Sequence, residues 1–321
     1  MRNVVCAPDK LKGVLTAREA ARALAAGFAE VGVPAEELPL ADGGEGTAEA
    51  LHRALGGVWR TASVSDPLGR PVEARFVLLG DGGAVVESAE AIGLSRLAQE
   101  ELDPARASSR GLGELIRAAV DAGASRLLVG LGGSATVDGG AGLREVLRDL
   151  PVPVDVACDV RNPLLGERGA ARAFAPQKGA SADDVEELER GLAGMRELAP
   201  YADVPGAGAA GGLGAALAAL GARLVPGAEL VLEAVRFRER IRGAHLVVTG
   251  EGIVDASSAE GKVTGAVVAC CRREGIRCAV FGGRVETELE GAEMHALSGL
   301  PAKAREDLVA LGGELASSLS S

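Results

Sequence analysis

A chain of 321 residues with 47% hydrophobic content can bury a large core, and its length predicts about two domains. Aromatic residues make up only 2%, which predicts a core of Ala, Val and Leu and leaves almost no stacking surface for single-stranded nucleic acid. A formal charge of −11 repels phosphate backbones, so nucleic acid is not an expected partner.

The opening run "NVVCAP" reads as a strand, and the charge at Lys10 leaves no room for the hydrophobic region of a signal peptide, so the expected location is the cytoplasm. The loop "DKLKGVLT" follows, carrying Asp9, Lys10 and Lys12. A helix is predicted from about Ala17 to Val31, with Thr16 as N-cap and Glu19 at the capping-box position. A second strand ends in "LPLADGGEGT" and "AEALHRAL" is again helical in period, which puts Asp42 and Glu45 in a strand-to-helix loop. Such loops lie at the ligand edge of an open parallel sheet.

From about Trp59 to Ser88 the texture changes to alternation, with "GDGG" as a hairpin turn, so antiparallel strands are predicted there. Helix and strand then alternate again through "LGELIRAAVDAG" and "SRLLV". The stretch "GLGGSATVDGGAG", Gly130 to Gly142, comes next, and "LREVLRDL" after it has the spacing of an amphipathic helix. Glycines at a strand-to-helix turn let backbone N–H groups converge with the positive end of a helix dipole, with Ser134 and Thr136 adding hydroxyls. That chemistry suits a phosphate. The alternative is a glycine cluster that only lets a helix pack tightly on a sheet.

Further on, "ACDVRNPLLG" presents Asp159, Arg161 and Asn162 beyond a strand, and "VTGEGIVDASSAEGK" presents Glu251, Asp255 and Lys262 beyond another. The uncharged run Val204 to Ala222 has a span's length but is built of glycine and alanine, and reads as loop plus closely packed helix rather than a membrane segment. A G-x-G-x-x-G at Gly206, Gly208 and Gly211 lacks the apolar strand that a dinucleotide site requires. Five cysteines without a C-x-x-C pair predict reduced thiols, and three scattered histidines, His52, His245 and His295, predict neither zinc nor hydrolase chemistry.

Backbone donors, cationic side chains and spare carboxylates after several strand ends are the inventory of phosphoryl transfer, in which Mg²⁺ takes one or two carboxylates and another receives the acceptor's proton. The expected fold is α/β with two α/β domains: a Rossmann-like parallel-sheet domain of about 1–60 with 240–321, and an inserted mixed-sheet domain of 61–239. Asp255 is the expected base, on the ground that Lys262 would keep it ionised, and Lys12 is expected against substrate or transferring phosphate. Asp42 and Asp138 are the expected Mg²⁺ carboxylates.

The blocks "APDKLKG", "PLADGGEGT", "GLGGSATVDGGAG", "ACDVRNPLLG", "PQKGA", "GAGAAGGLGAAL" and "TGEGIVDASSAEGK" occur in an order that resembles the bacterial glycerate kinases of glycerate and glucarate catabolism. The resemblance implies ATP with Mg²⁺, and D-glycerate converted to a phosphoglycerate, most often the 2-phosphate. It carries functional expectation onto Lys12, Asp42, Glu45, Gly132, Gly133, Ser134, Asp138, Asp159, Asn162, Glu251, Asp255 and Lys262. Substrate is expected in a cleft between the domains, with no nucleic-acid or membrane partner. Against the family pattern, Lys10 replaces a serine, Val137 an asparagine, Ile253 an arginine, and Ser257 to Ala259 a Gln-Thr pair. Those departures leave open another small hydroxy acid as substrate, or a catalytically lapsed relative that only binds metabolites. A nicotinamide dehydrogenase using Gly206 to Gly211 is the remaining rival.

Overall fold

The structure, a computed structural model, describes residues 3–259 and 262–319. It is an α/β protein whose strands, in chain order, are β1 (Val4–Cys6), β2 (Ala35–Glu37), β3 (Val58–Ser65), β4 (Pro71–Leu78), β5 (Gly83–Glu87), β6 (Arg126–Gly130), β7 (Val154–Ala157), β8 (Arg223–Val225), β9 (Leu246–Val254), β10 (Cys278–Val285) and β11 (Glu293–Ala296). The chain divides into two compact units, residues 1–42, 49–54 and 228–321 in one, and 43–48 with 55–227 in the other.

The first unit holds a wholly parallel sheet in the order β11-β10-β9-β1-β2. Strand order reverses direction of growth at β1 and β9, so the loops leaving those two strands flank a topological switch point, the usual ligand position of open α/β sheets. The helix Ala17–Glu30 begins with the expected capping box: Glu19 N–H donates to Thr16 Oγ1 at 3.2 Å, and Thr16 N–H donates to Glu19 Oε2 at 3.0 Å. It packs on the helix Ala304–Ser318 so closely that a Cβ at Gly27 would overlap the carbonyl of Val309. Leu24, Phe28, Leu308 and Leu315 fill the space between these helices and the strand residues Val4, Val248 and Phe281.

The second unit holds a mixed sheet in the order β3-β4-β5-β6-β7-β8. The first two pairings are antiparallel, as the alternating texture predicts, and the last three are parallel. Its core draws on Val86, Leu112, Ile116, Val129, Leu143 and Val156, with Phe76 as its one buried aromatic, so the aromatic-poor composition is met by branched aliphatics and alanine.

One helix is much shorter than its sequence pattern predicts. The segment after Gly140 is helical only over Ala141–Val146, and Leu147 is already extended and buried. Pro151 and Pro153 cannot continue a helix, and the chain must reach β7 at Val154, so the periodic "LREVLRDL" is cut at its midpoint. Six helical residues make a weak dipole, so an anion at this turn would depend on the loop's own donors.

Candidate active site

In the first unit, the ends of β1, β2 and β9 surround a pocket of about 670 Å³. Backbone hydrogen bonds from Ala7 N to Val248 O (2.7 Å) and Asp9 N to Gly250 O (3.0 Å) extend β1 beyond its last ladder residue and set Asp9 against β9. A tight turn closed by Leu11 and Leu15, with Gly13 at φ 74°, then presents Lys12 to solvent at the pocket wall. Asp42 comes from the segment after β2, and Lys10 Nζ lies 3.9 Å from its Oδ1.

Glu251 and Lys262 form an ion pair at 3.3 Å, and Lys262 also lies 3.9 Å from Asp255. The second oxygen of Glu251, Oε1, is buried and has no hydrogen-bond partner among the described residues. Thus Asp42, Glu251, Asp255, Lys12 and Lys262, all expected site residues, share one pocket with Asp9 and Lys10.

The carboxylates in this pocket are not equivalent. Burial, reinforced by the negative charge of Asp42 and to a lesser degree Glu251, pushes the Asp9 carboxyl up to about 7. Asp255 goes the other way: it accepts hydrogen bonds from the Ser257 hydroxyl and N–H, and these with Lys262 hold its pKa below the usual carboxylate value. Ser257, one of the departures from the family pattern, is therefore what pins Asp255. Ile253, another departure, is 43% exposed and puts an apolar side chain on the pocket wall.

In the second unit the Gly130–Gly142 loop is anchored from both sides. Leu94 N–H donates to Gly133 O and Ala135 N–H to Ile92 O, both at 2.8 Å, and Ser88 Oγ donates to Gly132 O at 3.1 Å. Gly133 has φ 74°, and a Cβ at Gly132 would come within 2.7 Å of Gly44 Cα. Under the loop lies Lys178, 3% exposed, whose ammonium donates to Thr136 O at 2.7 Å and to Ser134 Oγ at 3.3 Å.

Several expected site residues have other work. Asp138 accepts hydrogen bonds from Ser109 Oγ (2.7 Å), Ser109 N (2.9 Å), Gly142 N (3.1 Å) and Gly140 N (3.1 Å), so its oxygens fasten the loop to the start of the helix Arg110–Asp121. A metal there would have to displace those donors. Asp159 accepts from Gly227 N at 2.9 Å, and Asn162 donates to Arg168 O at 2.7 Å, each closing a loop. Val137 is buried among Leu164, Leu192 and Ala216, so its departure from the family pattern changes core packing, not a ligand contact.

Glu45 is exposed on the 43–48 segment, which is held by Glu87 through a 2.7 Å hydrogen bond from Ala48 N–H. Burial raises the Glu87 carboxyl to about 7. Gly206, Gly208 and Gly211 are packing glycines: a Cβ would meet the Cys158 sulfur, Pro163 O and Thr136 O respectively, which leaves no backbone there open to a dinucleotide.

Sequence reasoning passed over Lys178, Asp9 and Glu87 as site residues. Lys178 carried two readable signals, its place in the "PQKGA" block of the family resemblance and its being a lone cation in the otherwise apolar and small "AFAPQKGA". Among the described residues no group of three or more His, Cys, Asp or Glu side chains is already gathered as a metal cage, and no helix is long and apolar enough to cross a membrane.

Comparison with known proteins bears directly on these loops. The family model described as "Glycerate kinase family" matches residues 4–150 and 148–307. The chain is 43% identical over 302 residues to glycerate 2-kinase of Escherichia coli K12, covering 81% of this chain and 79% of that one. It is 38% identical over 340 residues to a glycerate kinase of Halalkalibacterium halodurans, covering 92% and 89%. A solved structure from Salmonella typhimurium LT2, assigned as a glycerate kinase 2, superposes with a TM-score of 0.86 at 35% identity, covering 99% of this chain and 98% of that one. The match runs through β1, the Asp42 segment, the glycine loop and β9, the elements that build both clusters of polar residues, and the chain belongs to the glycerate kinase family, as a kinase.

Proposed function

We propose that this protein transfers the γ-phosphoryl group of ATP to D-glycerate with Mg²⁺, forming 2-phosphoglycerate. The observation that carries the reading is the crowding of Asp9, Asp42 and Glu251 in one pocket beside Lys10, Lys12 and Lys262. Carboxylates pressed together until one of them is only about half ionised at neutrality call for a cation. The name of the Escherichia coli relative supports the 2-position.

The donor set fits Mg²⁺, a hard ion that takes one or two carboxylates together with phosphate oxygens and water. Asp42 and the unpartnered Oε1 of Glu251 would hold it. When bound, the ion neutralises charge on the phosphates and on the transferred group.

Asp9 is the better base than Asp255. A general base works best when its pKa lies near the operating pH, and Asp9 sits at about 7 while Asp255 is stabilised as the carboxylate by Ser257 and Lys262. Asp9 therefore receives the proton of the attacking hydroxyl. Lys12 and Lys10 offset the negative charge of the acid and of the transferred group. In the second unit, the Gly132 and Gly133 N–H groups and Ser134 bind phosphate. The free cysteines, four of them buried, fit a reducing cytoplasm.

The test is product analysis: wild-type protein with ATP, Mg²⁺ and D-glycerate, the isomer of phosphoglycerate identified by NMR. Appearance of ADP and 2-phosphoglycerate is the expected result; binding of ATP and glycerate without ADP would identify a lapsed enzyme. Ile253 on the pocket wall favours one second reading, a hydroxy acid bearing a small apolar substituent, which a panel of 2-hydroxy acids in the same assay decides.

A further inference from the structure

Lys178 is buried to 3% exposure, yet its ammonium contacts a carbonyl and a hydroxyl and no carboxylate lies within ion-pair distance among the described residues. A charge in that position requires an anion or loses its proton. In the same loop, immediately before Ser134, the Gly132 and Gly133 N–H groups meet no acceptor among the described residues, with Gly133 exposed and Gly132 half-buried. The Thr136 hydroxyl beside the Lys178 contact is buried and also without a partner among the described residues.

We propose that Lys178 is a positioning residue for a phosphate group bound at the Gly132–Ser134 turn: by donating to Ser134 Oγ, it leaves the serine's own hydrogen and the two glycine N–H groups to the phosphate. This rests on the phosphotransferase reading above and adds a residue and a proton to it. The phosphate is that of the nucleotide or that of the phosphorylated acid; both present the same oxygens.

Burial pushes the Lys178 ammonium down to about 7, against a small opposing effect of Asp138. Asp138, on the 131–140 loop, is the one charge that acts on it; no ionisable group of the helix Ala170–Phe174 or of the turn Pro176–Lys178 that carries it contributes. Near neutrality the free protein is thus divided between two states. In the uncharged state the amine can accept the Ser134 hydrogen, which removes one donor from the turn; in the charged state it cannot. A phosphate favours the charged state, so its arrival raises the lysine pKa, takes up a proton above pH 7 and binds more weakly as pH rises.

Calorimetric titration of the wild-type protein at pH 7.5, in two buffers of different ionisation enthalpy, measures that proton directly. Titrations use ADP in one arm and 2-phosphoglycerate in the other. We expect uptake of roughly half a proton or more in at least one arm, and the arm whose uptake depends on Lys178 identifies the phosphate, because Asp9 in the other pocket also titrates near 7. In K178M the affinity in that arm should fall at least about tenfold and the uptake vanish, and S134A should reduce both. Zero uptake by the wild type in both arms, or unchanged affinity and uptake in a folded K178M, overturns the proposal. Should K178M fail to fold, the wild-type and S134A titrations decide it alone. Failure of the kinase reading looks different: no ADP from ATP and glycerate, with proton-linked phosphate binding intact.

Discussion

Asp9 in the first unit and Lys178 in the second are buried ionisable groups of opposite sign, each moved toward neutrality by its burial. In the first unit Asp9 is buried beside two further carboxylates, and its pKa rises to about 7. In the second, Lys178 is buried against neutral oxygens, and its pKa falls to about 7. The same physical cause, desolvation, moves an acid up and a base down until both meet at neutrality. Structural carboxylates in the same protein show the contrast: Asp138 is surrounded by four donors, and Asp255 is held by Ser257 and Lys262. A group left uncompensated in the free protein is one whose partner is expected to arrive with a ligand. Glu87, raised to about 7 by burial yet bonded to Ala48 N–H, marks the limit of that rule: a binding group also needs an open pocket or unmet donors beside it.

The largest expected effects break the acidic half of this comparison. Asp9→Asn should lower kcat by roughly 10²- to 10⁴-fold, with the glycerate KM little changed and the Mg²⁺ requirement moved less than by Asp42→Asn. Asp42→Asn should instead raise the Mg²⁺ concentration needed for half-maximal rate. Steady-state kinetics across a Mg²⁺ titration checks both. If Asp255→Asn, and not Asp9→Asn, shows the kcat loss at unchanged Mg²⁺ dependence, the base is Asp255 after all.

Next in size is the glycine loop. Gly133→Val places a β-branched residue at φ 74°, a conformation that costs about 1–3 kcal/mol or is abandoned by the turn. ADP affinity should fall by more than tenfold, against a loss of a few-fold for Ser134→Ala. Equal and negligible effects in two folded variants would make the loop a packing device.

The pH profile sharpens the comparison by reading both groups at once. A base must be ionised, so kcat/KM should rise with pH through about 7 as Asp9 loses its proton. The lysine must be charged, so kcat/KM should fall again above about 7. A narrow bell centred near neutrality is expected, and Lys178→Arg, if folded, should flatten the alkaline limb alone. A profile level from pH 6 to pH 8 contradicts both assignments.

Stability gives a smaller signal of opposite direction to activity. The folded-state pKa of Lys178 lies below its unfolded value of about 10.4, so between roughly 7 and 10 the unfolded chain binds more protons and stability rises with pH. The penalty of burying the charge is fully present below pH 7. Lys178→Met should therefore raise Tm by about 2 °C or more at pH 6, with the gain shrinking toward pH 10, as scanning calorimetry would show. Smallest of all is Ala210→Gly. Ala210 has φ 52° in the segment whose Gly211 packs on Thr136, and relieving it should change stability by no more than about 1 kcal/mol.

Much of the architecture is local and could be read from the chain alone. The capping box at Thr16 and Glu19, the alternation of β3 to β5 and the turn glycines are each written in a few neighbouring residues, because hydrogen bonding within a turn and the two-residue period of a strand are short-range. For the same reason the loops bearing Asp42, Glu251 and Ser134 are recognisable as strand-end loops. What only tertiary structure decided is the environment of each charge. Lys178 is 42 residues from Thr136 in the chain, and Asp138 is 29 from Ser109, so neither the buried amine nor the occupied carboxylate is visible in spacing. The helix after Gly140 stops at Val146 because the chain must turn back to β7, a demand of the sheet that outweighs the helical spacing of residues 147–150. Desolvation depends on what packs around a group from distant parts of the chain, and that is why the sequence could place the charges in loops while the fold alone determined which of them await a partner.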